Sequence, residues 1–429
     1  PLLVKGSPYV ELPLNSNDIC KYPENLPFLI DFGTNVDYKP TFSEEPFAPS
    51  SYTWLITGVD VSPSDYVFVG GTSSASEFPQ IQFNSFLDYT IQVNVDGDCE
   101  DSGSDSFVLR INEIPVITNS TTSEIICSGS ATEGFVFTSS MEDETSYTWQ
   151  YLDEVTSSNV SGYIQNGTGN IPVQNNITTD DSSVGTITYS VTPTTGFCTG
   201  ESQTFTITVN PVPLINPFSE TICNEGTFAD ITPVDNTDGV VPVGTTYTWV
   251  IGNTSSGAIE GASASTAASA TINGSTLTLV DGTTSPQNLI YTVTPKSADD
   301  CLGETFTITI TVNPTAQVNE IDDQVLCNNE STDTIVFGTL NTDGETTYSW
   351  TNDNIAIGLA TDGNTNNIPS FNAIAGTTSE IATIVVTPTY TNNGIECTGP
   401  TETFTITVNP TPTMVQPSDI EVCNGDEDI

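Results

Sequence analysis

The sequence contains no histidine, and only five of its 429 residues are lysine or arginine. The absence of histidine excludes Ser-His-Asp and Cys-His catalytic arrangements and histidine-ligated metal centres within this chain. The 54 aspartate and glutamate residues give a formal net charge of −49, which repels nucleic acid and anionic membrane surfaces. We therefore expect no enzymatic activity, no nucleic-acid partner and no direct membrane insertion.

Long apolar runs are also missing, since none approaches the roughly 18 residues that a membrane-spanning helix needs. There is no Cys-x-x-Cys pair, and no glycine-rich phosphate loop follows a strand and opens a helix. No segment has helical apolar periodicity over a useful length. The chain starts at Pro1 with neither an initiator methionine nor a signal peptide, so we expect a mature fragment of a longer protein that continues past Ile429.

What the chain does contain is one alternating segment that occurs four times, at residues 107–113, 205–211, 306–314 and 404–410. Apolar and polar residues alternate in each copy, which predicts a strand with one buried face. Two extra residues in the third copy keep every side chain on its own face. The strand is expected to end at the following proline, which has no N–H to donate. The asparagines at 112, 210, 313 and 409 are 98, 103 and 96 positions apart, a spacing typical of whole repeated domains.

This period predicts the domain organisation. We expect a divergent β-sandwich domain at 1–113, further β-sandwiches at 114–211, 212–314 and 315–410, and the start of a fifth repeat at 411–429. Short strands at turn-punctuated spacing favour an all-β fold of antiparallel Ig-like sandwiches. Because linkers that contain proline are stiff, the tandem array is expected to form an extended rod of about 160 Å.

All four tryptophans lie in a Tyr-x-Trp motif, at Trp54, Trp149, Trp249 and Trp350. Residues at i and i+2 of a strand share a face, so the tyrosine and the tryptophan can enter the core together. We interpret them as core aromatics rather than as a platform for ligand stacking. The first cysteine of each domain is expected on the first strand. This differs from antibody domains, in which the cysteine that packs against the tryptophan lies on the second strand.

One acidic cluster is a candidate metal site. Asp96, Asp98, Glu100 and Asp101 provide closely spaced carboxylates, the ligands that Ca²⁺ prefers. The full twelve-residue calcium-loop pattern is missing, and the next domains have no clear equivalent. Calcium is therefore one interpretation and a solvated hairpin loop is the other; no other cofactor is expected.

Several motifs recur together: Cys-Asn-Gly/Asn at the start of a domain, Tyr-x-Trp, Val-Thr-Pro, Cys-x-Gly, and the closing Glu-Thr-Phe-Thr-Ile-Thr-Val-Asn-Pro. Together they resemble the tandem PKD-like repeats of giant Bacteroidota surface proteins, among them the gliding-motility adhesins. The resemblance covers 114–429 well and 1–113 loosely.

The resemblance implies a stalk segment of a cell-surface adhesin, exported by type IX secretion and attached to the outer membrane through regions outside this sequence. It also implies partners in the gliding or secretion machinery and in an external surface or polysaccharide. The alternatives are an accessory region of a secreted polysaccharide-degrading enzyme and a glycan-binding module.

Nine cysteines fit two even pairing patterns, one within domains and one across linkers, such as Cys198 with Cys223. If the segment between Cys198 and Cys223 is extended, these two residues lie too far apart to bond. We assumed that the first cysteine and the start of the closing strand meet at the same end of a domain. The predicted disulfides are therefore Cys20–Cys99, Cys127–Cys198, Cys223–Cys301 and Cys327–Cys397, with Cys423 unpaired.

Overall fold

Four separate apolar cores form along the chain, one inside each predicted domain span. The computed structural model describes residues 8–12, 18–44, 48–97, 102–141, 144–252 and 256–419. Among these residues the regular structure is β-strand, apart from two single 3₁₀ turns at Pro23–Asn25 and Ile355–Ile357. The chain divides into two compact units, residues 1–211 and 212–429. The predicted all-β tandem architecture is confirmed, and we call the four spans domains 1 to 4.

The first unit contains domains 1 and 2. The strands of domain 1 are β1 (Val10–Glu11), β2 (Asp18–Lys21), β3 (Phe28–Asp31), β4 (Thr41–Phe42), β5 (Ser51–Thr57), β6 (Tyr66–Val69), β7 (Gln80–Phe83), β8 (Asp88–Asp96) and β9 (Ser102–Glu113). Those of domain 2 are β10 (Ser123–Cys127), β11 (Ser146–Tyr151), β12 (Val160–Ser161), β13 (Asn166–Thr168), β14 (Thr178–Thr179), β15 (Gly185–Thr195), β16 (Cys198–Thr199) and β17 (Gln203–Asn210).

The second unit contains domains 3 and 4. The strands of domain 3 are β18 (Leu214–Ile215), β19 (Phe218–Cys223), β20 (Gly239–Val240), β21 (Thr246–Ile251), β22 (Ile259–Glu260), β23 (Ser265–Ser269), β24 (Thr278–Leu279), β25 (Gln287–Lys296) and β26 (Phe306–Asn313). Those of domain 4 are β27 (Gln324–Cys327), β28 (Ile335–Val336), β29 (Glu345–Asn352), β30 (Asp362–Gly363), β31 (Asn367–Ile368), β32 (Glu380–Asn392), β33 (Ile395–Thr398) and β34 (Glu402–Asn409).

One sheet plan is repeated in all four domains. The strand that carries the first cysteine pairs in parallel with the closing strand, as β10 does with β17 and β27 with β34. The closing strand pairs antiparallel with the long strand before it, which pairs in turn with the Tyr-x-Trp strand. Parallel pairing places the carboxyl ends of the first and closing strands at one end of the domain. We call this end the exit pole and the opposite end the entry pole.

The closing strands confirm the predicted alternation. Phe205, Ile207 and Val209 of β17 are all fully buried, and the threonines between them are partly exposed. Strand β26, whose motif has two extra residues, keeps Ile310 and Val312 buried, as a two-residue insertion requires. Strands β17, β26 and β34 all end at the asparagine immediately before the proline. The sequence therefore determined the buried face and the end of each of these strands.

The proline of the Val-Thr-Pro motif does not end its strand. Pro193 lies inside β15, opposite Tyr147 of β11, and β15 continues to Thr195. The carbonyl oxygen of Pro193 accepts a hydrogen bond from the N–H of Gly200, at 2.9 Å. Pro295 and Pro388 accept the same bond from Gly303 and Gly399. A proline is tolerated in these strands because its carbonyl, which it keeps, is the group that forms the bond.

The four Tyr-x-Trp tryptophans are buried, which confirms their interpretation as core aromatics. The indole Nε1 of Trp54 donates to the carbonyl oxygen of Ser76, and that of Trp249 to Ser263. Trp149 and Trp350 instead lie directly opposite a glycine of the neighbouring strand, Gly167 and Gly363 respectively. A Cβ at Gly363 would lie 2.5 Å from Cζ2 of Trp350, so the indole occupies the space of the missing side chain.

This packing gives the first testable prediction. We expect Gly363→Ala to destabilise domain 4 by about 2 kcal/mol, because the new methyl group displaces the buried indole of Trp350. Gly376→Ala in the same domain is the matched control, since a Cβ there meets nothing within 4 Å. Calorimetric melting of the two variants measures the difference. Equal melting temperatures would show that the indole does not need this glycine.

Candidate functional site: the disulfide-linked domain junctions

The described residues contain no group of three or more His, Cys, Asp or Glu side chains that could hold a metal ion. Asp96 of the calcium candidate accepts a hydrogen bond from the Ser51 hydroxyl at 3.0 Å. Asp98, Glu100 and Asp101 lie outside the described residues. In the same described part of the chain, no helix is long and apolar enough to cross a membrane.

Calcium binding at this loop stays a prediction. If Asp96, Asp98, Glu100 and Asp101 bind Ca²⁺, EDTA is expected to lower the melting temperature of domain 1, because only the folded loop gathers the carboxylates. Asp98→Asn should reproduce this loss in the presence of millimolar Ca²⁺. The same melting curve with and without the ion would indicate a solvated loop.

The junction between domains 1 and 2 is covalent. Cys20 and Cys198 form a disulfide, with 5.6 Å between their Cα atoms. Cys20 is the third residue of β2, opposite Asn112 of the closing strand, so it lies at the exit pole of domain 1. Cys198 lies on the short strand β16 just before the closing strand, at the entry pole of domain 2. The N–H of Ile114 also donates to the carbonyl oxygen of Lys21 at 2.9 Å, which fixes the start of the linker.

The same junction carries an open cleft of about 420 Å³. Phe86, Asn112 and Glu113 line it from the exit pole of domain 1, and Glu144 and Phe197 line it from the entry pole of domain 2. The phenyl ring of Phe197 is largely exposed. The two carboxylates and the wide opening describe a solvated groove beside the disulfide.

Domains 3 and 4 are joined in the same way. Cys223 and Cys397 form a disulfide, with 5.5 Å between their Cα atoms. Cys223 is the last residue of β19, opposite Asn313 at the exit pole of domain 3. Cys397 lies on β33, which forms a hairpin with β32 at the entry pole of domain 4. Cys127 and Cys301 each take part in a disulfide, whereas Cys327 is a free and exposed thiol.

These bonds contradict all four predicted pairings. Cys20–Cys99, Cys127–Cys198, Cys223–Cys301 and Cys327–Cys397 each include at least one cysteine that is bonded elsewhere. The Cys198–Cys223 alternative fails for the same reason, while Cys99 and Cys423 lie outside the described residues.

The predicted pairings were wrong because the first cysteine lies at the end of its strand and not at the beginning. Cys127 is the last residue of β10, opposite Asn210, the last residue of β17. Cys198 precedes β17, so the eight residues of that strand separate the two cysteines along the domain axis, by about 26 Å at ~3.3 Å per residue. A bridgeable pair needs a Cα separation of ~4.4–6.8 Å. Cys20 and Cys223, which lie at the same end of domains 1 and 3, bond instead to a cysteine of the following domain.

Hydrogen bonds surround the cystine between domains 3 and 4. The fully buried Asn313 exchanges two of them with the half-buried Asn392. Nδ2 of Asn392 donates to Oδ1 of Asn313 at 2.9 Å, and Nδ2 of Asn313 donates to the carbonyl oxygen of Asn392 at 3.2 Å. Nδ2 of Asn393 donates to the hydroxyl of Thr221 at 3.3 Å. The closing-strand asparagine of domain 3 thus binds the hairpin of domain 4.

A second contact fixes the rotation of the two domains about the cystine. The N–H of Thr342 in domain 4 donates to the carbonyl oxygen of Thr284 in domain 3, at 3.0 Å. Tyr390 of the hairpin strand anchors this loop, because its hydroxyl donates to the carbonyl oxygen of Thr342 at 2.9 Å. Burial raises the pKa of the Tyr390 hydroxyl above its usual value, and the Asp343 carboxylate adds to this shift. The tyrosine therefore stays a neutral donor at physiological pH.

Residues 124–213 and 220–316 match the model of the PKD-like domain. These two stretches, which lie in domains 2 and 3, are therefore similar to PKD-like domains. No curated protein matches the chain.

Solved structures resemble the chain only distantly. The titin I-band fragment I67–I69 is 13% identical with a TM-score of 0.40, and the match covers 73% of this chain and all of that one. The insect immune protein hemolin is 10% identical with a TM-score of 0.27, covering 95% of this chain and all of hemolin. The human desmocollin-1 ectodomain is 12% identical with a TM-score of 0.25, covering 84% and 75%. At these scores the matches carry no conclusion about function.

The Cys-x-Gly motif of domains 2, 3 and 4 has a role that sequence reasoning missed. A Cβ at Gly200, Gly303 or Gly399 would lie within about 2.2 Å of a linker carbonyl oxygen, that of Pro115, Pro213 or Ala316. Only glycine allows the linker to pass this close to the cysteine hairpin. The constant spacing of cysteine and glycine in three domains was the available signal. The motif therefore holds each hairpin beside the linker that enters its own domain.

Proposed function

We propose that this chain is a structural segment of a cell-surface adhesin, a stalk that transmits tension between the ends of a longer protein. The observation that carries the proposal is the pairing of cysteines between successive domains. Cys20–Cys198 and Cys223–Cys397 close covalent loops with sequence separations of 178 and 174 residues. A cystine within a domain would stabilise that domain alone, whereas these cystines resist separation of the two domains they join.

The covalent path through the chain is short as a consequence. A pull on the two ends passes along residues 1–20, crosses to Cys198, follows residues 198–223, crosses to Cys397 and leaves along 397–429. Residues 21–197 and 224–396 lie in loops that the two cystines bypass. The segment under tension contains β17, which is paired along its length with β10 on one side and β15 on the other. Tension along this strand shears its hydrogen bonds together rather than breaking them one at a time.

Several features of the chain support an extracellular location. Structural disulfides form and persist in oxidising compartments and are rare in the cytosol. A net charge of −49 keeps a protein soluble and discourages association between its copies. Two of the four domains match the PKD-like domain model, and we propose that they serve as spacers in the stalk.

The more specific part of the proposal rests on the resemblance of the repeats to those of the gliding adhesin SprB. On this basis the stalk is exported by type IX secretion, is attached to the outer membrane outside this sequence, and is moved by the gliding machinery. Its far end would adhere to an external surface or a polysaccharide.

Antibodies against this chain test the proposal on intact cells of the source organism. We expect labelling at the surface of unpermeabilised cells and movement of the label along the cell, and deletion of the gene should abolish both attachment and gliding. A product found free in the medium together with polysaccharide hydrolysis would instead support an accessory region of a secreted enzyme.

A further inference from the structure

We infer that the exit pole of domain 4 is a preformed binding site for another PKD-like domain. It would bind the hairpin that carries the second cysteine of that domain, and Cys327 would form a disulfide with this cysteine. Cys327 alone would not support this inference, because an exposed thiol has many fates. The support comes from the equivalent pole of domain 3, where the partner is present. The inference does not rest on the proposed function, since it concerns which domain binds here and not what the chain does at a cell surface.

The two poles have the same construction. Cys327 lies opposite Asn409 in the parallel pair of β27 and β34, as Cys223 lies opposite Asn313 in β19 and β26. The next residue is an asparagine in both, and its N–H donates to the carbonyl oxygen of the closing-strand asparagine at 2.8 Å in each domain. The side-chain oxygens of Asn224 and Asn328 accept from equivalent backbone N–H groups, those of Leu279 and Ala375. The cysteine is therefore presented by the same local structure at both poles.

The linker also leaves domain 4 in the geometry that it has after domain 3. Nδ2 of Asn224 donates to the hydroxyl of Thr315 at 3.0 Å, and Nδ2 of Asn328 donates to the hydroxyl of Thr411 at 3.2 Å. In domain 3 this bond directs the chain into the domain whose hairpin covers the pole. Residues 410–411 repeat this start, so the direction in which a following domain would be placed is already set.

The two poles differ because a hairpin of the next domain covers the pole of domain 3, whereas the pole of domain 4 is exposed. Asn313 is fully buried under the hairpin of domain 4, and Cys223 is half-buried in its cystine. Asn409 and Cys327 at the same positions are exposed. A hairpin like residues 390–399 would fit this pole. Its cysteine would bond to Cys327, as Cys397 bonds to Cys223. An asparagine before its turn would pair with the side-chain amide of Asn409, as Asn392 pairs with Asn313.

Extension of the full chain by one domain tests the inference. Residues after Pro410 are replaced by a second copy of residues 315–410, which restores Thr411 as the first residue of the copy. A Glu396→Asp substitution in the copy marks its hairpin peptide by mass. After secretion into an oxidising compartment, we expect a disulfide between Cys327 and the marked hairpin cysteine, and a free thiol at the first cysteine of the copy.

The matched control is the same extension with Cys327→Ser, in which the marked hairpin cysteine should become fully alkylatable. A disulfide between the two cysteines of the copy itself would overturn the inference. Two free thiols in a copy that melts cooperatively would overturn it equally. If that copy does not fold, a copy of residues 212–314 replaces it, with Leu302→Val to mark its hairpin peptide by mass. The bonded or free state of its hairpin cysteine then decides in the same way.

Discussion

Pulling the oxidised chain from its two ends is expected to extend it to only about 280 Å, at ~3.5 Å per residue. After reduction the same chain should reach about 1,500 Å. The difference arises because Cys20–Cys198 and Cys223–Cys397 remove residues 21–197 and 224–396 from the path that bears the force. Any further cystine can only shorten that path. Optical-tweezers extension with and without reducing agent measures both limits.

A single substitution provides the control for this experiment. In Cys223→Ser the second disulfide is lost, so residues 224–396 are no longer excluded from the path. The oxidised limit should then rise, to at most about 880 Å at ~3.5 Å per residue. Cys327→Ser, which removes a free thiol, should leave the limit at its original value. If the oxidised and reduced chains reach the same length, the cystines do not lie where the proposed tension path requires them.

Loss of the Cys223–Cys397 bridge is also expected to have the largest effect on stability. The bond closes a loop with a sequence separation of 174 residues, and the chain-entropy model gives about 5 kcal/mol for a loop of that size, as an upper guide. Cys223→Ser should therefore lower the denaturant midpoint of residues 212–429 markedly. Cys327→Ser is again the matched control, because it changes the equivalent residue of the next domain without opening a loop.

Reduction separates this effect from damage by the substitution itself. In the presence of a reducing agent, wild type and Cys223→Ser should unfold at the same denaturant concentration, because both then lack the bridge. A difference that persists after reduction would mean that the serine disturbs the exit pole, and equal midpoints under oxidising conditions would mean that the bridge contributes no stability.

The sequence was sufficient for the strands and the core because these depend on a local pattern. Alternation alone identifies the buried face of β17, and Tyr-x-Trp places Trp149 and Trp350 in the core. The proline after Asn210 likewise identifies the end of the closing strand, because its missing N–H removes a hydrogen bond of the ladder at that position. Each of these inferences needs only residues that are neighbours in sequence.

The disulfides could not be predicted in the same way because they depend on register between distant strands. Whether Cys127 lies at the start or the end of β10 decides which pole it occupies, and only its pairing with Asn210 settles this. The close packing of Gly363 on Trp350 and of Gly399 on the Ala316 carbonyl has the same origin. In a threonine-rich sequence such a glycine is read as a turn residue, because the sequence does not show which residue lies opposite it.

Disulfide mapping under non-reducing conditions tests the central claim most directly. The chain has few sites for trypsin, so cleavage at its many acidic residues, after alkylation of free thiols, is the suitable digestion. The account predicts linked peptides that contain Cys20 with Cys198 and Cys223 with Cys397, and an alkylated Cys327. A Cys223–Cys301 or Cys327–Cys397 peptide from a natively exported sample would show that the cystines close individual domains, and the tension-bearing stalk would lose its physical basis.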